Sequence, residues 1–464
     1  MAVGQTYDAI VIGAGQAGPS LAGRLTAAGM TVAFVERHLF GGTCVNTGCT
    51  PTKTLIASAA AAEQVRRAAE YGINVGPLSI DMPAVQRRKD AVVAASRDGL
   101  ERWLRGMERC TVFLGHARFE SVTDVRVGDT LLSAPRIFIN AGGRALVPSL
   151  PGVERVPYLT NTSILKLDVL PRHLVVVGGS YVGLEFAQMY RRFGSEVTVV
   201  EKSSRLISRE DEDVSDAIRG ILEGEGIAVR TDAECIRFEP RGNDIGVGVN
   251  CHSGDPEILG SHVLLAMGRR PNTDDLGLDR AGVAVDKHGF ITVDDCLRTS
   301  VPGIWALGDC NGRGAFTHTA YNDFEIVAAN LLEAGPGGEA APRRVSDRIS
   351  CYALYTDPPL GRVGMTEREA RASGRSIRIG SRPMTRVSRA VEKGDSRGFM
   401  KVIVDAQSSA IVGAAILGIG GDEAVHGILD TMAAKVPYQN LQRTMHIHPT
   451  VSELIPTVLG ELKP

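Results

Sequence analysis

The chain places two cysteines, Cys44 and Cys49, five residues apart in the segment Gly41-Gly42-Thr43-Cys44-Val45-Asn46-Thr47-Gly48-Cys49-Thr50-Pro51-Thr52-Lys53. Two thiols that close into a disulfide release two electrons, and reopening takes them back. The segment predicts a helix capped by Thr50, with Pro51 as its first residue. A thiol just ahead of such a helix feels its dipole, which favours the thiolate. On an ideal helix, positions five apart lie roughly 140° off-face. A bridge between Cys44 and Cys49 therefore needs a loop or distorted turn, which the surrounding glycines permit. The other chemistry open to the pair is half of a metal site. No second Cys-x-x-Cys or Cys/His pair with zinc-like spacing accompanies it, so no resident metal is expected.

Just upstream, Gly13-Ala14-Gly15-Gln16-Ala17-Gly18 follows a predicted strand at 7–12 and precedes a predicted helix at 20–28. A second strand at 31–35 ends at Glu36. In such a dinucleotide site Gly13 makes the tight turn, Gly15 admits a pyrophosphate, Gly18 allows close helix–strand packing, and Glu36 takes ribose hydroxyls. The helix N-terminus presents N–H groups to the phosphates. The arrangement recurs: a strand at 173–177, the turn Gly178-Gly179-Ser180-Tyr181-Val182-Gly183, a helix at 184–193, and a strand at 196–200 ending at Glu201. Gly13 to Glu36 and Gly178 to Glu201 span the same 23 positions. Two nucleotide-binding units in one chain follow. Ser180 stands where the middle glycine would be, and still permits approach. Glu201 favours a free ribose 2′-OH, hence NADH; Lys202 and Arg205, just beyond, are the residues that would take a 2′-phosphate. A dinucleotide beside a dithiol pair implies a redox enzyme.

The remaining elements must position these groups. Helical patterns cover 53–70 and 82–107, and short strands run on to Asn140-Ala141-Gly142-Gly143. A proline-rich linker at 148–157 enters the second unit, and Arg269-Arg270-Pro271-Asn272 leads back. Gly303 to Asp309 reads as a strand ending in an acid. Residues 333–342 form a Gly/Ala/Pro loop. From about residue 350 the pattern is strands plus two amphipathic helices, an α+β module suited to a subunit interface.

The 464 residues are enough for several domains. A net charge of −2, with 22% charged and 44% hydrophobic residues, gives no footprint for nucleic acid or anionic lipid. No apolar run reaches the 18 or so residues of a membrane span. The first 18 residues carry no Lys or Arg ahead of their apolar stretch. They read as a first strand rather than a signal peptide, which points to a reducing, cytoplasmic compartment. Cys110, Cys235, Cys251, Cys296, Cys310 and Cys351 are isolated and are expected as small buried apolar residues.

Near the C-terminus stands His446-Ile447-His448-Pro449-Thr450-Val451-Ser452-Glu453. A histidine ahead of a proline-started helix, with a carboxylate in reach, is a general-base arrangement. Taken alone, His448 reads more simply as a helix-capping histidine and His446 as structural. Lys53, one turn past Cys49, and Glu185, inside the second helix, each read as a surface charge.

Together the Gly41–Lys53 segment, the two glycine turns, Gly303 to Asp309 and His448 to Glu453 resemble the class I pyridine nucleotide–disulfide oxidoreductases. That family includes dihydrolipoyl dehydrogenase, glutathione reductase, mercuric reductase and a copper-reducing, hypochlorite-resistance flavoprotein. The resemblance covers nearly the whole chain. It implies an α/β fold with two Rossmann-like dinucleotide-binding domains, for FAD and NAD(P), plus a C-terminal α+β dimerisation domain. The FAD domain would take 1–150 and 271–345, the NAD(P) domain 151–270, and the dimerisation domain 346–464. Gly13, Gly15, Gly18, Glu36, Arg37, Gly42, Thr43, Lys53, Gly142 and Asp309 would belong to the FAD site. Gly178, Gly179, Ser180, Tyr181, Gly183 and Glu201 would hold the nicotinamide nucleotide, and Gly268 is a further cofactor-binding position. Cys49 would be the charge-transfer thiol against the flavin and Cys44 the interchange thiol that meets substrate. Lys53 and Glu185 would pair near the flavin. His448 and Glu453 would reach Cys44 of the other subunit in a head-to-tail homodimer with shared active sites. That role displaces the simpler reading of His448.

Within the family, the wording of the cysteine segment, Gly178-Gly179-Ser180, Arg389-Ala390 and Asp395-Ser396-Arg397-Gly398-Phe399 look closest to the mercuric-reductase-like branch. Mercuric reductases carry a vicinal cysteine pair near the C-terminus, whereas residues 460–464 here are Gly-Glu-Leu-Lys-Pro and the last cysteine is Cys351. The usual mercuric route is therefore not expected. The leading expectation is an NAD(P)H-dependent flavoprotein reducing a small disulfide or a soft metal ion. The alternatives are dihydrolipoyl dehydrogenase serving a multienzyme complex, and a redox-sensing flavoprotein.

Overall fold

The computed structural model describes residues 4–234, 236–249, 257–333 and 341–464. The loop expected at 333–342 falls mostly outside these residues, as do Cys235 and Cys251. The chain divides into two compact units: Met1–Thr54, Gln86–Leu146 and Gly268–Arg348 form one, and Leu55–Val85, Val147–Met267 and Ile349–Pro464 the other.

The first unit is built on a five-stranded parallel sheet in the order Ile304–Ala306, Ile137–Ile139, Ala9–Ile12, Val32–Glu36, Cys110–Leu114. Ala9–Ile12 and Val32–Glu36 are buried at every position, as a sheet covered on both faces requires. On one face, Leu21 and Leu25 of the helix Ala17–Ala27 share a core with Phe34, Phe138 and Ile326, the last from the helix Thr317–Leu332. The other face packs Ile10 and Val35 against Phe119 and Leu132 of a smaller four-stranded sheet. Because the five strands are parallel, their carboxyl ends deliver Gly13, Glu36, Asn140 and Asp309 to one edge, where ligands of open α/β sheets bind.

The second unit carries a parallel sheet in the order Ala228–Arg230, Glu196–Val200, His173–Val177, His262–Leu265. The helix Tyr181–Phe193 covers one face, and the antiparallel strands Arg237–Arg241, Asp244–Gly248 and Glu257–Gly260 cover the other through Phe238 and Val247. Its C-terminal part is an antiparallel five-stranded sheet in the order Cys351–Leu354, Leu360–Gly364, Ile411–Leu417, Phe399–Asp405, Ile377–Pro383. A buried ionic node fastens this sheet to the segment ahead of the helix Glu212–Gly224. The Arg362 guanidinium, fully buried, meets Glu210 at 2.6 Å and Asp211 at 3.1 Å, and Lys401 reaches Asp211 at 3.1 Å and Asp213 at 2.8 Å. Such a cluster fixes geometry more than it adds stability, because desolvation offsets most of the attraction.

Several expectations need correction. Helix Cys49–Arg66 starts ahead of Thr50, so Thr50 and Pro51 lie inside its first turn. That turn tolerates proline because its N–H groups have no partner within the helix. Between residues 350 and 464 there are six short helices rather than two, among them Glu367–Ala372, His426–Ala433 and Ile455–Gly460. Cys310 is fully buried as expected, whereas Cys110, Cys296 and Cys351 are only half-buried. Among the described residues no helix is long and apolar enough to cross a membrane.

Candidate active site

The first glycine turn is as tight as its sequence demands. Gly13 has φ +104°, and a side chain on Gly18 would collide with the Gly13 carbonyl. The Glu36 carboxylate is built into the turn: one oxygen accepts the Ala14 N–H at 2.8 Å and the other the His38 N–H at 2.8 Å. Each oxygen keeps a second lone pair for a ribose hydroxyl. Arg37 is paired with Asp275 at 2.9 Å. Asn140, which the sequence did not single out, packs its amide against Gly15 and Gly18 and donates to the Gly13 carbonyl at 3.1 Å.

The cysteine segment is seated directly on this turn. Gly41, φ +94°, donates its N–H to Ala14 at 2.9 Å, and a Cβ on Gly42 would lie 2.9 Å from the Gly15 Cα. Cys44 does not sit in a loop. It lies on a short helix, Gly42–Thr47, tied by the Asn46 side chain to the carbonyls of Phe40 (2.8 Å) and Gly42 (3.0 Å). Gly48 breaks the helix: a Cβ there would meet the Thr43 carbonyl oxygen at 2.8 Å. The next residue, Cys49, opens the long helix. This break is the distorted turn that the five-residue spacing requires, and it sets the two sulfurs close enough to act on one another electrostatically. Both cysteines are free thiols, Cys44 half-buried and Cys49 exposed. The Cys44 thiol is held far above the usual cysteine range, first by its hydrogen bond to Cys49 and then by burial.

Around the pair, Thr43 Oγ1 donates to the Gly143 carbonyl at 3.3 Å, and the Arg269 guanidinium reaches the same carbonyl at 2.5 Å. Arg269 also stands 3.5 Å from Asp309. Burial pushes the Asp309 carboxyl above its ordinary range and Arg269 works against that shift. Gly142, φ +66°, faces open space beside these groups. Gly268 lies in this unit, where its carbonyl accepts the Leu146 N–H at 3.0 Å. A glycine turn, a caged acid, an open backbone at Gly142 and a half-buried carboxylate at Asp309 fit a bound dinucleotide.

The second turn repeats the first. Gly178 has φ +117°, and a side chain on Gly183 would collide with the Gly178 carbonyl. Glu201 accepts the Gly179 N–H at 2.6 Å and the Ser203 N–H at 2.7 Å, as Glu36 accepts its own pair. Ser180 precedes the helix, and Tyr181 is its first residue. The Tyr181 ring meets Tyr352 edge-on at 5.6 Å, and both hydroxyls address Glu210, at 3.4 and 2.6 Å. Arg205 is paired with Glu212 at 3.4 Å.

Lys53 belongs to the first unit, one turn beyond Cys49 on the same helix. Glu185 belongs to the second, buried, and accepts the Tyr355 N–H at 3.1 Å. It is not a surface charge. His448 places Nδ1 3.0 Å from Glu453 Oε2 while its side chain stays 74% exposed. Nδ1–H is thereby directed to the carboxylate, and Nε2 faces outward as a proton acceptor. Pro449 does not start a helix: the chain turns through Ser452–Leu454 before the helix Ile455–Gly460. His446 directs its own Nδ1 to the Thr444 carbonyl at 2.9 Å.

Comparison with known proteins matches residues 7–323 to the pyridine nucleotide-disulphide oxidoreductase family and residues 350–459 to the dimerisation domain of the same family. A probable pyridine nucleotide-disulfide oxidoreductase of Escherichia coli, RclA, is 35% identical over 98% of this chain and 99% of its own. A dihydrolipoyl dehydrogenase of Chlamydia muridarum is 32% identical over 97% of this chain and 95% of its own. The structure of a Cu(II) complex of RclA, an HOCl-induced flavoprotein disulfide reductase from E. coli, superimposes with a TM-score of 0.88 at 35% identity. It covers 98% of this chain and 99% of that one.

Proposed function

Because this chain belongs to the pyridine nucleotide-disulphide oxidoreductase family, whose members are flavin- and NAD(P)H-dependent enzymes, we propose that it carries electrons from NADH through Cys44 and Cys49 to a small disulfide or a soft metal ion. The observation that carries this reading is the seating of the two contacting thiols on the first glycine turn, Gly42 against Gly15.

The first turn, with Gly13, Gly15, Gly18, Glu36, Arg37, Gly42, Thr43, Gly142 and Asp309, would hold FAD, and the second, with Gly178, Gly179, Ser180, Tyr181, Gly183 and Glu201, would hold the nicotinamide nucleotide. Bound flavin supplies the two-electron step between that nucleotide and the cysteine pair. Cys49 would be the sulfur nearer the flavin, and Lys53 and Glu185 would be the charged residues that tune it. Cys44 meets the substrate. Its thiol resists ionisation, so a base must take its proton, and His448, oriented by Glu453, serves. The Cys44 sulfur attacks a substrate disulfide, and the first thiolate leaves with the proton from His448. Cys49 then attacks the Cys44 sulfur of the mixed disulfide, the second substrate thiolate leaves, and the Cys44–Cys49 bond closes. With a cupric ion the same closure releases two electrons, one to each of two ions.

The dimerisation-domain match supports a homodimer, and we assign His448 and Glu453 to the site of the opposite subunit. The flavin domain takes 1–150 and 271–345, the nucleotide domain 151–270 and the interface 346–464, in a cytoplasmic protein. NADH is the preferred donor: Glu201 places a carboxylate where a 2′-phosphate would sit, and Arg205 is already engaged by Glu212.

The soft-metal branch draws support from the copper complex of the similar E. coli protein. A second reading, dihydrolipoyl dehydrogenase, draws support from the full-length relative of that name. Anaerobic titration of the yellow protein with NADH and then NADPH tests the proposal. A long-wavelength thiolate-to-flavin band should grow at two electrons, with NADH the better donor. Challenge with glutathione disulfide, Cu²⁺, Hg²⁺ and lipoamide then separates the acceptors. A flavin that bleaches without the band would sink the dithiol route.

A further inference from the structure

We infer that Thr317 is a positioning residue of the redox pair, its hydroxyl donating to the Cys49 sulfur and holding it as the thiolate once the disulfide is open. The inference rests on the reading of Cys49 as the flavin-facing sulfur.

Thr317 is remote in sequence, yet its Oγ1 lies 3.2 Å from Cys49 Sγ, and its influence on Cys44 is a minor one that burial and Cys49 outweigh. It is the first residue of the 16-residue helix Thr317–Leu332. The local capping work at that helix end falls to Thr319 instead, whose Oγ1 accepts the Phe316 N–H at 3.1 Å and donates to the Phe316 carbonyl at 2.7 Å. The Thr317 hydroxyl is therefore spent on sulfur. A β-branched side chain has few χ1 choices at a helix start, so the hydroxyl is set in place by the backbone. Cys49 itself opens the helix Cys49–Arg66, so two helix N-termini meet at this sulfur, and both favour negative charge there.

The balance of the step fits one hydroxyl proton. A hydride equivalent delivered to the Cys44–Cys49 bond leaves one sulfur protonated and the other anionic. Cys44 is the more buried of the two sulfurs, and burial disfavours its anion, so we assign the proton to it. The anion falls on Cys49, where Thr317 donates. Among the described residues, titratable groups on the elements that meet at Cys49 include Cys44, Lys53 one turn along its own helix, and His318, which follows Thr317 and stacks its ring on Phe316 at 5.3 Å. Arg269 reaches Thr43, next to Cys44, at 3.4 Å.

The test compares wild type with Thr317→Val, which keeps the shape and loses the hydroxyl, and with Thr317→Ser, which keeps the hydroxyl; Thr317→Ala stands in should the valine variant not fold. In the two-electron-reduced holoenzyme, the pH at which the long-wavelength band is half-formed should rise by about one unit in Thr317→Val and stay near wild type in Thr317→Ser. A second readout needs no band. In a Cys44→Ser background, the pH profile of Cys49 alkylation by iodoacetamide, followed by mass spectrometry, should move upward by the same amount. Unchanged profiles in both readouts overturn the inference. A wild-type enzyme without the band whose alkylation profile still moves keeps the Thr317–Cys49 contact and overturns only the flavin-facing reading.

Discussion

At the scale of residues, the division of labour between the two sulfurs follows from their surroundings. Burial and its neighbour hold the half-buried Cys44 thiol above the usual cysteine range, while Cys49, more exposed, opens a helix beside a hydroxyl. On the proposed mechanism Cys44 alone is thus a poor nucleophile, and turnover would depend on a base outside its own segment. Replacement of His448 by Ala should lower kcat with a disulfide acceptor by roughly 10²- to 10⁴-fold at neutral pH, while the band raised by NADH forms as before. Stopped-flow measurement of the two half-reactions decides this. Loss of the NADH half-reaction would place His448 elsewhere in the mechanism. The Cys44/Cys49 pair, Glu36 and Glu201 were legible in the sequence because each rests on a short, patterned spacing, whereas spacing offered the His448–Glu453 couple only as one arrangement beside a helix cap, and its role came from the family resemblance. Thr317, Asn140 and Asn46 were not, since Thr317 and Asn140 act across long separations and Asn46 looks like any polar residue until Gly42–Thr47 is seen to be helical.

Among the elements, the glycine turns matched the sequence reading while the cysteine helix did not. The strands His173–Val177 and Glu196–Val200 are all-apolar or nearly so between turn signals, and they fall where the pattern put them. Thr50 and Pro51 suggested a cap, but the real start is dictated by Gly48, whose position against the Thr43 carbonyl excludes any side chain. The buried node around Arg362 gave no sequence signal, because its partners come from strands and loops some 150 positions away. It has a measurable signature. Burial pushes the Asp211 carboxyl up, but the Glu367 N–H, Arg362 and Lys401 outweigh it and bring its pKa to about 2. That is below the unfolded value, so the stabilisation is complete above about pH 4 and fades as pH falls toward 2, in total about 2 kcal/mol. Asp211→Asn should therefore cost about 3 kcal/mol at pH 7, with the difference from wild type narrowing below pH 4. Denaturant melts at pH 7, 4 and 3 give the comparison, and a gap independent of pH would remove the assigned role.

For the whole molecule, the decisive proposal is the sharing of each active site between two chains. Cys44→Ser and His448→Ala homodimers should both be nearly inactive. Co-expressed with different tags, random pairing returns roughly a quarter of wild-type activity, because half the dimers then hold one site with neither change. Failure to recover activity in purified heterodimers would place both groups in one subunit. The α/β class and the duplicated nucleotide unit could be read from periodicity and repeated spacing alone. The interface role of the C-terminal sheet came instead from resemblance and the family match, since short helices such as Gly421–Ala424 and Tyr438–Gln442 carry too few turns for a legible period.

The caged acids have a consequence for how such an enzyme can change. The charge of Glu201 is the feature proposed to select the donor, and its two oxygens also hold the Gly179 and Ser203 amides. A lineage or an engineer seeking a phosphorylated donor cannot simply delete the carboxylate, because two amides in the nucleotide turn would lose their acceptor. On that proposal donor choice and turn integrity are inherited together: a neutral amide at this position would keep one acceptor and turn a donor toward the other backbone N–H.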